Sequence, residues 1–256
     1  MRYQDKVAIV TGGANGIGRC IVEHFVAEGA YVAVIDMDKT AGCALQQQFG
    51  DRVLFFTGDV AKHSELDAFV ETVLKRFPTV HVLINNACKS RKGLLSQCSY
   101  EDFLYVQQVG VVAPYYLTQL LEKAFAPEAS IINISSTRDS QSQADSESYA
   151  AAKGGIAALT HALSVSLAGR VRVNSISPGW IDTGMYHEAA SLDAYAAADI
   201  SQHPAGRVGR PEDIASLALF LCSSQAGFID GENIVVDGGM SKLMVYHDDK
   251  GWIYQP

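Results

Sequence analysis

The chain has 256 residues, 48% of them hydrophobic and 19% charged, so apolar side chains suffice for a packed core and intrinsic disorder is excluded. The formal net charge of −8 argues against a nucleic-acid-binding protein, which needs surplus cations to displace the counterions of the phosphates. No uncharged apolar run reaches the roughly 20 residues that span a bilayer, and the N-terminal residues do not form a secretory signal, so we expect a cytoplasmic protein without a membrane partner.

Short β-branched runs alternate with longer helical patterns along the chain. The predicted strands are apolar on both faces, as strands covered by two layers of helices are; they are Val7–Val10, Tyr31–Ile35, Val53–Thr57, Val80–Ile84, Ser130–Ile134, Val171–Ile176 and Asn233–Val236. The predicted helices between them are Ile17–Glu28, Thr40–Phe49, Ser64–Arg76, Glu101–Phe125, Tyr149–Leu167 and Glu212–Cys222. This alternation predicts an α/β fold, a doubly wound parallel sheet with right-handed crossovers and helices on both faces.

No linker rich in glycine, proline or serine interrupts the alternation. We therefore predict one domain over residues 1–240, with residues 241–256 as a C-terminal extension that contains Tyr246, Trp252 and Tyr254. Two irregular segments, Thr137–Ser148 and Gly184–Gly209, follow predicted strands, at the edge where open α/β sheets bind their ligands. We expect the second segment to form a lid.

The turn after the first strand has the sequence TGGANGIG, from Thr11 to Gly18, and leads directly into a helix. Gly12 permits the tight exit from the strand, Gly16 lets backbone N–H groups approach a pyrophosphate, and Gly18 lets the helix pack on the sheet. The helix N-terminus adds donors and a partial positive charge. This context predicts a dinucleotide site whose loop contacts come from Gly12, Asn15, Gly16, Ile17 and Gly18.

Asp36 ends the second strand, 18 residues after Gly18. A carboxylate at this position accepts hydrogen bonds from the ribose hydroxyls of adenosine and repels a 2′-phosphate. Neither Met37 nor Asn15 supplies a compensating cation. The sequence therefore predicts that NAD is the cofactor rather than NADP, with Met37 beside the adenosine.

Several further motifs follow in order. They are Asp59–Val60 after the third strand, NNA at Asn85–Ala87 after the fourth, NISS at Asn133–Ser136, YAAAK at Tyr149–Lys153 and PGWIDT at Pro178–Thr183. Together with the glycine loop they resemble the short-chain dehydrogenase/reductase family from residue 7 to about residue 240. The resemblance implies a seven-stranded Rossmann-type fold, a homotetramer or homodimer, and hydride transfer between a nicotinamide and a small-molecule alcohol or ketone.

Tyr149 and Lys153 are four residues apart, so on a helix they lie on one face, one turn apart. A phenol with a pKa of about 10 is a poor base at neutral pH. A neighbouring ammonium stabilises the phenolate, so we expect Lys153 to lower the pKa of Tyr149. Tyr149 is therefore the candidate acid/base. By resemblance, Lys153 also hydrogen-bonds the nicotinamide ribose.

Ser136 is 13 residues before Tyr149, which is the spacing of the family. Its hydroxyl would donate to the substrate oxygen and stabilise negative charge in the transition state. Ser135 is the adjacent alternative, but the spacing favours Ser136.

The remaining cofactor contacts are implied by the resemblance alone. Asp59 and Val60 would bracket the adenine, and Asn85 and Ala87 would line the adenosine ribose and the cofactor channel. Pro178 and Gly179 would make the turn that places Ile181 and Thr183 at the nicotinamide carboxamide.

Two positions depart from the family pattern. Gly110 stands where the family usually has an asparagine that holds a proton-relay water, and Gln107, one turn earlier, is a candidate substitute. We expect catalysis to survive because Ser136, Tyr149 and Lys153 are present. Cys88 stands where glycine is usual, and we interpret it as a small buried apolar residue rather than a reactive thiol.

The polar segment Arg138–Ser148 favours a polyol, sugar or hydroxy acid as substrate, and Arg138 is either a partner for a substrate carboxylate or a solvated charge. The five cysteines contain no C-x-x-C pair and the seven histidines no pair at metal-ligand spacing, so no metal is expected. One alternative function is a non-catalytic NAD-binding sensor or scaffold, favoured by Gly110. Another is a 3-oxoacyl-carrier-protein reductase, which Asp36 and the acidic charge disfavour.

Overall fold

A computed structural model describes residues 1–91, 93–187, 195–246 and 248–249. Its strands are β1 (Val7–Thr11), β2 (Tyr31–Asp36), β3 (Val53–Thr57), β4 (Val80–Asn85), β5 (Phe125–Ile134), β6 (Val171–Pro178) and β7 (Asn233–Val236). Its helices are α1 (Gly16–Ala27), α2 (Lys39–Phe49), α3 (His63–Arg76), α4 (Tyr100–Gln107), α5 (Ala113–Leu121), α6 (Glu147–Ser166), α7 (Ala197–Ser201) and α8 (Pro211–Leu221). Among the described residues, no helix combines the length and apolar character that a bilayer crossing requires.

The strands form one seven-stranded parallel sheet with the order β3-β2-β1-β4-β5-β6-β7. Both the parallel pairing and the seven strands of the expected Rossmann-type fold are confirmed. Across the sheet the strand numbers fall from β3 to β1 and then rise from β4 to β7, so the winding direction changes between β1 and β4. Ligands of such sheets bind at the carboxyl ends of the strands beside this change.

Alternate residues of each strand point to opposite faces of the sheet, so the sheet separates two cores. On one face Val10, Val34 and Ile84 are fully buried with residues of α1 and α8. On the other face Ile9 and Leu83 are fully buried with residues of α3 and α5. This two-sided burial explains why the strands read as continuous apolar runs.

The single helix predicted over Glu101–Phe125 is wrong. After α4 the chain forms a π-helical turn over Gln108–Val112, in which the Ala113 N–H bonds the Gln108 carbonyl five residues back. Pro114 follows without an N–H and therefore cannot bond the Gly110 carbonyl in a regular helix. The helix accommodates the missing donor by widening for one turn. It then ends at Leu121, and β5 begins at Phe125 instead of Ser130.

Candidate functional site

The glycine loop joins β1 to α1 at the carboxyl edge of the sheet. Gly12 and Gly16 have φ angles of +63° and +57°, in the left-handed region that favours glycine. A Cβ on Gly18 would lie 2.1 Å from the Gly12 carbonyl oxygen, and a Cβ on Gly12 would lie 2.9 Å from Ala87 Cα. These contacts show that the loop, α1 and the segment after β4 pack too closely for side chains at Gly12 and Gly18.

Two carboxylates stand at the end of β2. Asp36 accepts hydrogen bonds from the backbone N–H groups of Ala14 at 3.0 Å and Asp38 at 2.9 Å. Asp38 accepts from Ala41 N at 3.0 Å and from Asn15 Nδ2 at 2.9 Å. The hydrogen bond from Ala41 holds the pKa of Asp38 below its usual range. Sequence reasoning missed Asp38 at this site, although an aspartate before a helix is an N-cap signal.

A cleft of about 540 Å³, which we call the glycine-loop cleft, lies between these groups and the end of β4. The predicted residues that line it are Gly12, Asn15, Gly16, Ile17, Asp36, Met37, Asp59, Val60, Ala87 and Thr183. Further lining residues, not assigned to the cofactor from the sequence, include Asp38, Asn86, Cys88, Lys89, Tyr105 and His187. The Tyr105 hydroxyl donates to Asp59 Oδ2 at 3.2 Å, which ties α4 to the segment after β3.

Asn85 is not among the lining residues of this cleft, in contrast to the expected contact. It is buried, and its Nδ2 donates to Asn133 Oδ1 at 2.8 Å; within the described part of the chain its Oδ1 has no hydrogen-bond partner. The next residue, Asn86, faces the glycine loop and donates to the Gly12 carbonyl at 2.8 Å and the Thr11 carbonyl at 3.1 Å. The difference arises because β4 ends at Asn85, whose amide pairs with the neighbouring β5.

Ser136, Tyr149 and Lys153 come together at the carboxyl end of β5. Tyr149 and Lys153 lie one turn apart on α6, with Lys153 Nζ 5.3 Å from the centre of the Tyr149 ring. Ser136 and Tyr149 line the same cavity, and the Ser136 hydroxyl lowers the pKa of Tyr149. Ser135, the alternative to Ser136, is buried and donates to the Lys153 carbonyl at 3.0 Å. The geometry therefore brings Ser136 to the tyrosine and gives Ser135 a structural contact.

Burial controls the ionisation of Tyr149 and Lys153. The pKa of Tyr149 is raised to about 12, chiefly by desolvation and also by Cys88, while Ser136 and Arg138 act in the opposite direction. Burial also lowers the pKa of Lys153, whose Nζ donates to the Ile134 carbonyl at 2.7 Å. The expectation that Lys153 lowers the pKa of Tyr149 is wrong for the protein alone, because loss of solvent outweighs the neighbouring charges.

A second cavity of about 610 Å³, the Tyr149 cavity, adjoins this group. Its described lining residues are Ser90, Ser136, Thr137, Arg138, Gln141, Ser142, Gln143, Tyr149, Gly179, Trp180, Ile181, Gln202 and Met240. It contains Gly179 and Ile181 from the predicted cofactor contacts, whereas Pro178 is buried as the last residue of β6. Cys88 and Lys89 line the glycine-loop cleft and Ser90 the Tyr149 cavity, so one short segment borders both.

The predicted lid is described only in part. It begins with a 3-10 turn over Gly184–Tyr186 and includes α7, and Ile181 and Gly209 pair in a parallel bridge at its base. Residues 188–194 of the lid lie outside the described residues, as do Trp252 and Tyr254 of the C-terminal extension. No group of three or more His, Cys, Asp or Glu side chains within the described ranges has the arrangement of a metal site.

Residues 12–241 match the sequence model of a family described as enoyl-(acyl carrier protein) reductase, a range that includes Gly12, Asp36, Ser136, Tyr149 and Lys153. This chain is a short-chain dehydrogenase/reductase.

Known relatives of this dehydrogenase/reductase are similar over nearly its full length. A solved structure described as an apo SCOR enzyme from Clostridium thermocellum is 43% identical with a TM-score of 0.89, covering 98% of this chain and 99% of that one. The L-fucose dehydrogenase of Mus musculus is 37% identical over 93% of this chain and 89% of its own length. A 3-oxoacyl-acyl-carrier-protein reductase of Chlamydia trachomatis is 37% identical over 93% of this chain and 98% of its own length.

Cys88 of this dehydrogenase/reductase is exposed, so its interpretation as a buried apolar residue is wrong. The side chain lies in the glycine-loop cleft because the chain has already left the buried strand β4. Gln107, considered as a substitute for the family asparagine, donates through Nε2 to the Ser148 carbonyl at 2.9 Å. Its amide therefore joins α4 to the start of α6.

Gly110 lies within the π-helical turn and packs against α6, where a Cβ would stand 2.9 Å from Ala152 Cβ. We expect Gly110→Asn to lower the free energy of unfolding by about 1–3 kcal/mol, because an inserted side chain overpacks this contact. Chemical denaturation of Gly110→Asn, Ala152→Gly and the double variant measures the coupling between the two positions. The double variant should recover part of the loss, whereas strictly additive losses would contradict the packing explanation.

Proposed function

We propose that this dehydrogenase/reductase moves a hydride between NAD and a secondary alcohol, with Tyr149 as the acid/base. The observation that carries the proposal is the grouping of Ser136, Tyr149 and Lys153 beside a short segment that borders both cavities. Amide and hydroxyl groups dominate the lining of the Tyr149 cavity. They support a polyol, sugar or hydroxy acid as substrate.

The roles of the three side chains follow from their chemistry. Bound NAD would supply the acceptor for the hydride that leaves the carbinol carbon. Tyr149 Oη takes the proton of the substrate hydroxyl during oxidation and returns it to the carbonyl oxygen during reduction. Ser136 Oγ donates to the substrate oxygen and stabilises its developing charge, and Lys153 would hydrogen-bond the nicotinamide ribose, as the family resemblance implies.

The glycine-loop cleft fits a dinucleotide. Its loop and the N-terminus of α1 suit the pyrophosphate, and His187, which lies 3.2 Å from Thr183 Oγ1, adds a polar group on that side. Asp36 and Asp38 suit the two hydroxyls of an unphosphorylated ribose. Two carboxylates at this point support NAD rather than NADP.

The proposal extends to the organisation of the protein. We place residues 1–240 in one domain with residues 241–256 as its extension, and we propose a cytoplasmic homotetramer or homodimer. Exposed apolar side chains on α4 and α5 and the turn between them support association with further copies; they include Leu104, Val112 and Tyr115.

The carrier-protein reductase of Chlamydia trachomatis favours one alternative, reduction of a 3-oxoacyl group on a carrier protein. The family resemblance implies NADPH as the cofactor of that reaction, and the two carboxylates beside the glycine loop oppose NADPH. A second alternative, NAD binding without turnover, depends on the absence of the family asparagine at Gly110.

The deciding experiment is a 340 nm absorbance assay of the pure protein with NAD, and then NADP, across polyols, sugars and hydroxy acids, and with NADH, and then NADPH, across the corresponding ketones. NADH formation would support the proposal. NAD binding without turnover across the panel would favour the non-catalytic alternative, and a preference for NADP would contradict the cofactor assignment.

Thiol labelling locates the cofactor independently of turnover. Cys88 and Cys43 are both exposed, but only Cys88 lines the glycine-loop cleft, whereas burial raises the pKa of Cys20 and Cys222 to about 12. We expect iodoacetamide to modify Cys43 and Cys88, and saturating NAD to protect Cys88 alone. Peptide mass spectrometry measures both sites, with Cys43 as the internal control. Equal labelling of Cys88 with and without NAD would place the cofactor elsewhere.

A further inference from the structure

The Tyr149 cavity has a distinctive distribution of charge. Among its described lining residues Arg138 is the only charged side chain, and no aspartate or glutamate faces the cavity. The chain as a whole has a net charge of −8, so a lone cation among amides and hydroxyls is not a consequence of composition. An arginine in such a cavity is a ready partner for an anion.

The acidic residues close to Arg138 in the sequence make other contacts. Asp139 accepts from Ser177 Oγ at 2.6 Å and from Asn233 Nδ2 at 2.7 Å. Asp145 accepts from Ser96 N and Glu147 from Leu94 N, each at 3.0 Å. No carboxylate of the described residues forms an ion pair with Arg138. The guanidinium therefore lacks a described counter-ion.

Arg138 also lies close to the reacting group. It sits on the 3-10 turn Thr137–Asp139 directly after β5, and its backbone N–H donates to Ser136 Oγ at 3.2 Å. Its guanidinium carbon is 5.6 Å from the centre of the Tyr149 ring, and one Nη donates to Gln143 Oε1. A guanidinium has five N–H donors, so most remain for a ligand. The half-buried cation and the phenol thus face the same small volume.

We propose that the substrate of this enzyme is a small hydroxy acid or the matching oxo acid, whose carboxylate binds Arg138 while its carbinol or carbonyl group lies at Tyr149. This inference rests on the proposed hydride transfer. Gln141 and Gln202 offer amide groups for further hydroxyls of the acid. Trp180 provides an apolar wall for the carbon skeleton.

The chemistry of the cation favours a carboxylate over a phosphate monoester. A carboxylate has one negative charge and a planar pair of oxygens that matches the guanidinium fork. A phosphate monoester has a charge of about −1.5 to −2 at neutral pH and would need a second cation. The described lining contains one cation, Arg138, so it suits a carboxylate better than a phosphate monoester.

The test compares matched acids and neutral alcohols by the 340 nm assay with saturating NAD. Suitable pairs are 3-hydroxybutanoate with 1,3-butanediol and an aldonic acid with its alditol, and glycerol 3-phosphate serves as the phosphate probe. We expect kcat/KM for the best acid to exceed that of its neutral partner by about 100-fold, the effect of a charge-assisted bidentate contact. Acids no better than their neutral partners, or a preference for the phosphate, would overturn the proposal.

Variants assign the effect to the side chain. Arg138→Gln should lower kcat/KM for the acid by about 100-fold, mainly through KM, and should lower it much less for the neutral alcohol, which loses only the effect of the guanidinium on Tyr149. The Kd for NAD should remain unchanged. Arg138→Lys should recover part of the loss because it keeps the charge without the fork. Arg76→Gln, at the exposed end of α3, is the matched control. Equal losses for acid and neutral alcohol in Arg138→Gln would overturn the proposal.

A binding measurement separates this inference from the proposed function. Calorimetry follows binding of the same hydroxy acids to the protein saturated with NADH, and of the corresponding oxo acids to the protein saturated with NAD, since neither combination can react. Acid binding that Arg138→Gln abolishes would support the anion site even if the enzyme turned over no alcohol, in which case the hydride transfer alone would fail. If no acid binds and none is turned over, the anion site is overturned.

Discussion

Tyr149→Phe is expected to lower kcat for alcohol oxidation by about 10²- to 10⁴-fold, the range that a positioned acid/base contributes. The substitution removes the phenolic oxygen and keeps the ring against which Arg138 lies. Steady-state rates at 340 nm measure the loss, and the Kd for NAD should remain unchanged. Tyr31→Phe, at the opposite end of β2 from Asp36, is the matched control and should retain full activity.

The pH dependence provides a second readout of the same residue. Burial raises the pKa of Tyr149 to about 12 in the protein alone, so at neutral pH the phenol is neutral and suited to donate a proton. Oxidation needs the phenolate, whose fraction grows as the pH rises toward the pKa. The oxidation rate should therefore increase with pH between about 7 and 9, and reduction should not. A rate increase that persists unchanged in Tyr149→Phe would show that another group accepts the proton.

Cofactor preference should follow the charges at the end of β2. We expect kcat/KM with NAD to exceed that with NADP by about 10²- to 10³-fold, because a 2′-phosphate beside Asp36 and Asp38 costs several kcal/mol of repulsion. The double variant Asp36→Asn, Asp38→Asn removes both charges and keeps an N-cap side chain for α2. Its preference for NAD should fall by at least about 10-fold, chiefly through a lower KM for NADP.

Matched substitutions test the charge itself. Asp51→Asn, in the exposed turn before β3, removes one negative charge away from the cleft and should leave the NAD preference unchanged. Similar efficiency of the wild-type enzyme with both cofactors would contradict the assignment of the two carboxylates. An unchanged preference for NAD over NADP in the Asp36→Asn, Asp38→Asn double variant would contradict it as well.

Local patterns in the sequence were enough for most of the scaffold. Apolar runs on both strand faces predict a covered parallel sheet, and the glycine loop predicts the ligand edge, because each depends on residues close together in the chain. The π-helical turn has a local cause as well. In a regular helix the N–H of residue 114 would donate to the Gly110 carbonyl, and Pro114 has no N–H. The position of this proline in the sequence was therefore a signal that the helix is irregular.

Other features depend on elements that are distant in the sequence. Asp38 joins Asp36 because the turn after β2 folds back toward the glycine loop, where Asn15 donates to it. Asn86 rather than Asn85 faces that loop, because β4 ends at Asn85 and directs its amide to β5. Spacing along one segment does not determine which of two adjacent side chains meets another segment.

The fold, the family and the candidate residues Ser136, Tyr149 and Lys153 can all be predicted from short-range sequence patterns. The environment of those residues depends on the packing of distant segments. Burial by several elements raises the pKa of Tyr149, Ser135 donates to the Lys153 carbonyl, and Asp139 accepts from Ser177 instead of pairing with Arg138. Desolvation and ion pairing are sums over neighbours from the whole fold, so no local pattern contains them.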